Sequence, residues 1–267
     1  MLLRKVPARE GLLWVRFGFA CLRHRPLQAL LLTLVYVAVI GLLPFVPLVG
    51  GLLSLGATQL TSLGFMQASR NMVAGRAAWP KVFLGGLQGP PQRVRAMLWL
   101  CLLYALALLA ALALSALADG GALLRMIAFS AAPAKGAMAD ASLRQAALVT
   151  MLAYVPVAMA FWFAPPLVAW WGMSPAQALF TSLVVVWRNL GAFVLYVLQW
   201  WGVFAAGLVL AVLASALLHL GGGPSVLLVL PVSLLLFTPF ALSFQASVHS
   251  LLGEPEAEAD APQRAAT

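Results

Sequence analysis

The sequence predicts an all-α, polytopic transmembrane helical bundle of about six spans, accompanied by interfacial amphipathic helices. Composition is the first reason. The chain is 63% hydrophobic and only 9% charged, with a mean hydropathy of +0.99, whereas a soluble domain carries about 25% charged residues. The second reason is where the charges are missing: residues 26–69, 96–118, 145–187 and 189–253 contain no Asp, Glu, Lys or Arg. A bilayer core about 30 Å thick needs about 20 apolar helical residues per crossing, so these gaps hold several spans. Third, 11 of the 16 basic residues fall in the first 95 positions and bracket an apolar run. The net charge of +9 is therefore expected to meet lipid phosphates, with no nucleic acid as partner. The same composition sets aside soluble enzymes, disulfide scaffolds, coiled coils and disordered chains.

The elements follow in chain order. Residues 1–26 read as a basic interfacial helix, because Arg9, Arg16 and Arg23 are seven apart and return to nearly one helical face. Leu13, Trp14, Phe17, Phe19 and Ala20 occupy most of the rest. Pro26 interrupts it, and residues 27–252 form the bundle. Span one covers about 27–46, retained rather than cleaved because its apolar run continues past Val49. Pro44, Pro47, Gly50 and Gly51 then make a turn. Span two, about 52–72, is the most polar, with Thr58, Gln59, Thr61, Ser62, Gln67 and Ser69 ahead of Arg70. Trp79-Pro80 opens a second interfacial segment that ends at Gly89-Pro90-Pro91. Span three, about 97–118, has Ala107, Ala111 and Ser115 at the four-residue spacing that lets helices approach closely in lipid. After the loop Asp119 to Arg144, span four, about 146–171, is interrupted by Pro156 and Pro165-Pro166 and ends in Trp170-Trp171, suited to the headgroup belt. Ser174 as N-cap and Pro175 at the first helical position begin a third interfacial helix. Span five, about 191–218, has Gly207, Ala211 and Ser215 at four-residue spacing. A Gly221-Gly222-Gly223-Pro224 turn leads to span six, about 225–248, which contains Pro231 and Pro239. Residues 253–267, with Glu254, Glu256, Glu258 and Asp260 among Ala and Pro, bury too little to fold and read as an acidic disordered tail.

Lys and Arg in short loops set orientation. Arg4, Lys5, Arg9, Arg16, Arg23 and Arg25 precede span one, and the 70–95 segment at and after the end of span two holds Arg70, Arg76, Lys81, Arg93 and Arg95. The turns after spans one and five have none. Both termini are expected in the cytoplasm. The chain also repeats an order three times: a Pro-initiated segment, a basic residue, a span, a turn and a span. Phe65-Met66-Gln67-Ala68-Ser69 is echoed by Phe244-Gln245-Ala246-Ser247, consistent with a three-unit parallel repeat.

Val6-Pro7-Ala8-Arg9-x-Gly11-x-x-Trp14, Gly18-Phe19, Arg25-Pro26-Leu27 and Gly64-Phe65-Met66 before Arg70 resemble an uncharacterised family of basic multi-pass inner-membrane proteins of proteobacteria. The resemblance covers about the first 120 residues well and the rest by architecture. It implies a bacterial inner-membrane location and supplies no catalytic residue.

No span carries a buried acid or base, which argues against a carboxylate proton or sodium relay. Cys21 and Cys101 read as reduced and structural. His219 and His249 read as facing headgroups or water, and Ser215 with His219 lacks the third, orienting acid of a nucleophile system. No catalytic, metal or cofactor site is expected. The sequence points instead to a non-enzymatic protein that organises lipid or partner membrane proteins. Its candidate lipid-phosphate collar is Arg9, Arg16, Arg23, Arg25, Arg76, Lys81, Arg93, Arg95 and Arg188, with anionic headgroups as partners. The alternative is a transporter or channel for a neutral or amphiphilic solute, with a polar path along Thr58, Gln59, Ser62 and Gln67.

Overall fold

A computed structural model describes residues 4–47, 49–128, 141–218 and 226–253. Residues 129–140 with Lys135 and Asp140, His219, the Gly221–Pro224 turn and the tail beyond Gly253 lie outside the described residues. In chain order the helices are α1 (Glu10–His24), α2 (Pro26–Leu42), α3 (Gly50–Val73), α4 (Pro91–Asp119), α5 (Ala122–Ala128), α6 (Ala141–Phe161), α7 (Ala164–Trp171), α8 (Pro175–Arg188), α9 (Leu190–Leu217) and α10 (Val226–Leu252). Two 3₁₀ segments, Leu43–Phe45 and Pro80–Leu87, complete the order, and no strand occurs among the described residues. Proline sets several starts: Pro26, Pro91 and Pro175 each open a helix, where a missing N–H costs nothing and φ is already helical.

Among the described residues, five helices are long and apolar enough to cross a membrane: Pro26–Phe45, Pro91–Asp119, Ala141–Trp171, Leu190–Leu217 and Leu228–Leu252. The expected span two is absent from this set. Its helix, α3, has 24 residues, about 36 Å at 1.5 Å per residue, but its hydroxyls and amides lower its hydropathy. The second interfacial segment also differs from expectation. It is a 3₁₀ helix, because eight residues between Pro80 and Leu87, with Gly85-Gly86 inside, give α-helical turns little to build on.

Contacts divide the chain into two units. The first draws on Met1–Ala38, Thr61–Gly85 and Val185–Thr267, the second on Val39–Leu60 and Gly86–Val184. In the first, α10 is bonded to four other helices. Thr238 Oγ1 pairs with Thr33 Oγ1 of α2 at 2.8 Å, and the Leu242 carbonyl accepts from Ser69 Oγ of α3 at 2.8 Å. Ser243 Oγ pairs with the Tyr196 hydroxyl of α9 at 2.6 Å, and Ser250 Oγ accepts from Trp14 Nε1 of α1 at 3.0 Å. In an apolar medium such bonds orient helices that hydrophobicity alone cannot distinguish. Around them lies a core of Leu32, Phe65, Ala68, Met72, Val82 and Leu242. Phe65 meets Tyr36, Phe83 and Phe237 edge-on, with centroids 5.2–6.1 Å apart, a favourable aromatic geometry. Phe83 of the 3₁₀ segment also covers Gly64, where a Cβ would strike its ring.

α1 packs across α9 and α10. Glycine makes the crossing possible: a Cβ on Gly11 would fall on the Ala192 carbonyl, and one on Gly18 would fall on the Pro239 carbonyl. Between them Trp14, only 2% exposed, contacts the rings of Phe193 and Tyr196.

In the second unit α4 packs along α6, joined by the Tyr104 and Tyr154 hydroxyls at 3.4 Å. The expected break in span four falls at Trp162–Phe163, while α6 runs through Pro156. Ser182 of α8 repairs the break, since its Oγ accepts from the Phe163 amide at 3.0 Å and donates to the Met159 carbonyl at 2.7 Å. Ser174 caps α8 as expected. Its Oγ accepts from the Gln177 amide at 3.4 Å, and Gln177 Oε1 accepts from the Ser174 amide at 3.2 Å, a reciprocal capping box. Of the two small-residue stripes, Ala111 with Ser115 and Ala211 with Ser215 are buried, so both stripes are used inside the chain.

Candidate functional site

Both ends of α1 are tied to another basic segment within the first unit. At its N-terminal end, Asn189, which directly follows Arg188, accepts from the Val6 amide at 2.9 Å. Asn189 also donates to the Arg4 carbonyl at 3.2 Å and the Val185 carbonyl at 2.9 Å. The Arg4 amide donates to the Leu251 carbonyl at 3.1 Å, which sets the N-terminal segment beside the end of α10. At the C-terminal end of α1, the Arg25 guanidinium donates to the Gly75 carbonyl at 2.8 Å, next to Arg76. Three residues on, Gln28 Oε1 accepts from the Ala78 amide at 3.2 Å.

The side chains of α1 divide cleanly. Gly11, Trp14, Val15, Gly18 and Cys21 are buried, whereas Arg9, Leu12, Leu13, Arg16, Ala20 and Arg23 are exposed. At about 100° per residue the exposed group occupies one arc opposite the buried one. Leu13 and Ala20 therefore share the arginine face, and α9 and α10 cover the opposite side. Among the described residues the carboxylates are those of Glu10 and Asp119. Asp119 is engaged by the Gly121 and Leu123 amides at 2.8 and 2.7 Å. No carboxylate among the described residues pairs with Arg9, Arg16 or Arg23.

The remaining collar residues are placed as follows. Arg76 and Lys81 are exposed, Arg93 and Arg95 are exposed in the opening turns of α4, and Arg188 is exposed at the end of α8. Arg93 and Arg95 belong to the second unit and the others to the first. Aromatic side chains accompany them: Trp79, Phe180 and Trp187 are 53%, 69% and 67% exposed, each within eight residues of an Arg or Lys.

The polar residues of α3 are occupied differently. Thr58 Oγ1 donates to the Leu55 carbonyl at 2.6 Å, and Gln67 Nε2 donates to Asn71 Oδ1 at 3.1 Å, both within the helix. Ser62 is half-buried. Gln67 lies five residues beyond it, about 140° around the helix, so the four path residues do not share one face. Gln59 is 5% exposed, and its Oε1 has no hydrogen-bond partner among the described residues. Gln245 Oε1 of α10 is in the same condition.

Sequence reasoning missed Asn189 and Ser182, isolated polar residues whose bonds to other elements reach partners 19 to 185 positions away. No local pattern signals such pairs. Cys21 and Cys101 are free and buried. Burial pushes the Cys21 thiol up to about 11, which leaves it protonated and unreactive near neutral pH. Ser215 Oγ donates to the Ala211 carbonyl of its own helix at 2.8 Å. Among the described residues no group of three or more His, Cys, Asp or Glu could hold a metal ion.

Five long apolar helices, faced with exposed leucine, valine and tryptophan and bordered by arginine, define a multi-pass α-helical membrane protein. The chain is 36% identical over 261 residues to a protein of Burkholderia thailandensis named a probable inner membrane protein, covering 96% of each. It belongs to the family of that protein and is a multi-pass inner-membrane protein. No protein-family profile matches the chain, and no solved structure matches it.

Proposed function

We propose that this is a non-enzymatic, six-span inner-membrane protein whose basic collar holds anionic lipid phosphates at the cytoplasmic surface and so organises lipid or partner membrane proteins. The observation that carries the reading is the exposed arginine face of α1, with no carboxylate set against it among the described residues, immediately before the apolar helix that begins at Pro26. Arginine forms bidentate bonds with phosphate, and Leu12 and Leu13 on the same face suit the acyl boundary. Six crossings are supported by the Arg4–Leu251 bond. With the N-terminal segment and the end of α10 on one side, as that bond suggests, the number of crossings is even. α3 is the natural sixth: a helix shielded by protein tolerates hydroxyls and amides that a lipid-facing helix would not. The positive-inside rule puts that shared side in the cytoplasm.

The test is retention of anionic phospholipid by gently extracted protein, compared with Arg9→Gln/Arg16→Gln/Arg23→Gln. Each basic residue contributes about 1 kcal/mol of attraction, so the triple variant should bind about a hundredfold more weakly. Its insertion and thermal midpoint should not change, because all three side chains are exposed. Equal retention by the two proteins would remove the collar. A second reading, a path for a neutral solute, is favoured by the orphaned Oε1 atom of Gln59. The internal bonds of Thr58 and Gln67 count against it.

A further inference from the structure

We infer that the acidic segment Glu254–Asp260 is an intramolecular occupant of the basic N-terminal end and competes there with lipid phosphates, making the collar a switchable surface. The inference rests on the collar reading for its competitor but not for the docking itself.

Three observations converge on it. The first is where the segment is rooted. α10 ends at Leu252, and Gly253 follows with φ of +77°, its amide bonded to the His249 carbonyl at 3.2 Å. This left-handed glycine is a helix stop. One turn earlier, Ser250 holds Trp14, and the Leu251 carbonyl holds the Arg4 amide. The chain therefore leaves α10 at the N-terminal end of α1, beside Arg4 and Lys5. The second observation is charge. Arg4, Lys5, Arg9 and Arg16 are exposed, with no carboxylate paired to them among the described residues. The next acids in the chain are Glu254, Glu256, Glu258 and Asp260, with one basic residue, Arg264, beyond them. The third is reach. Seven residues beyond Gly253 extend up to about 25 Å, and Arg9 and Arg16 lie about 10 Å apart along the helix.

A short tether gives the acids a millimolar effective concentration at these arginines. Each exposed ion pair is nonetheless weak and screened by salt. A dense anionic leaflet can therefore displace the segment, whereas a zwitterionic one leaves it docked. The expected behaviour is an electrostatic switch set by local lipid charge.

The experiment uses the full chain in nanodiscs of zwitterionic lipid with a zero-length carbodiimide, which couples amines to carboxylates. The expected result is a cross-link between Lys5 and Glu254, Glu256 or Glu258. It should fade at high salt and in nanodiscs containing anionic phospholipid. In parallel, Glu254→Gln/Glu256→Gln/Glu258→Gln/Asp260→Asn should retain anionic phospholipid several-fold more strongly than the unaltered chain. Absence of the cross-link together with unchanged retention overturns tail docking and leaves the collar standing. A cross-link that persists undiminished against anionic lipid overturns the collar and the competition with it.

Discussion

At Gly18 a Cβ atom would fall on the Pro239 carbonyl oxygen and 2.9 Å from the Ser243 Cβ, whereas at Gly41 it would meet nothing within 4 Å. The two glycines are equally plain in the sequence, and only the crossing of α1 over α10 separates them. Gly18→Ala forces backbone against backbone, so it should destabilise the protein by about 1–3 kcal/mol, the usual range for overpacking. Gly41→Ala should be neutral or slightly stabilising, because alanine is the better helix former. Thermal unfolding of the two purified variants in one detergent decides this; equal midpoints would mean that α1 does not seat on Pro239. Trp14 and Arg9 illustrate the same point. Their spacing announces a two-faced helix, but its apolar face meets Phe193 and Tyr196 rather than acyl chains.

α3 and α9 differ sharply in the apolar surface they expose. α9 carries Val194, Val197, Leu198, Trp201, Leu208, Val209 and Leu210 exposed along its length, whereas Leu63, Phe65, Met66, Ala68, Ser69 and Met72 of α3 are buried. A photoreactive lipid-soluble probe should therefore label α9 heavily and leave 63–69 of α3 almost unlabelled. Comparable labelling of the two helices would put α3 in contact with lipid and remove the explanation offered for its polarity. The same contrast explains why hydropathy finds α9 and passes over α3. Hydropathy measures what lipid requires of a surface, and α3 presents little surface. The 3₁₀ segment Pro80–Leu87 was legible as a basic, proline-opened stretch. Its seat on Gly64 and Phe65 was not, because that contact depends on where α3 ends.

At the scale of the whole molecule, the first unit ties α1 and the segment before it to the end of α10. Single cysteines at Lys5 and Gly253, introduced with Cys21 and Cys101 replaced by alanine, should both be labelled from the cytoplasmic side alone by a membrane-impermeant thiol reagent. Labelling from opposite sides would leave an odd number of crossings and exclude α3 as a span. The arrangement also has a folding consequence. α1 cannot bury Trp14 or satisfy its indole N–H until α10 is in place, so the first helix is completed by the last.

From the sequence alone came the all-helical membrane class, the helix opened by Pro175 with its Ser174 cap, and the concentration of basic charge at one end of the chain. These are local matters, because lipid solvates each segment by its own composition and a cap is a bond over three residues. Tertiary structure alone decided that Asn189 clasps the N-terminal segment, that Ser182 bridges the break before α7, and that the arginine face of α1 stands opposite a face sealed by α9 and α10. In lipid, helices are not sorted by hydrophobicity. A hydroxyl, an amide or a missing Cβ decides which pair meets, and those single atoms act only once segments far apart in the chain come into contact.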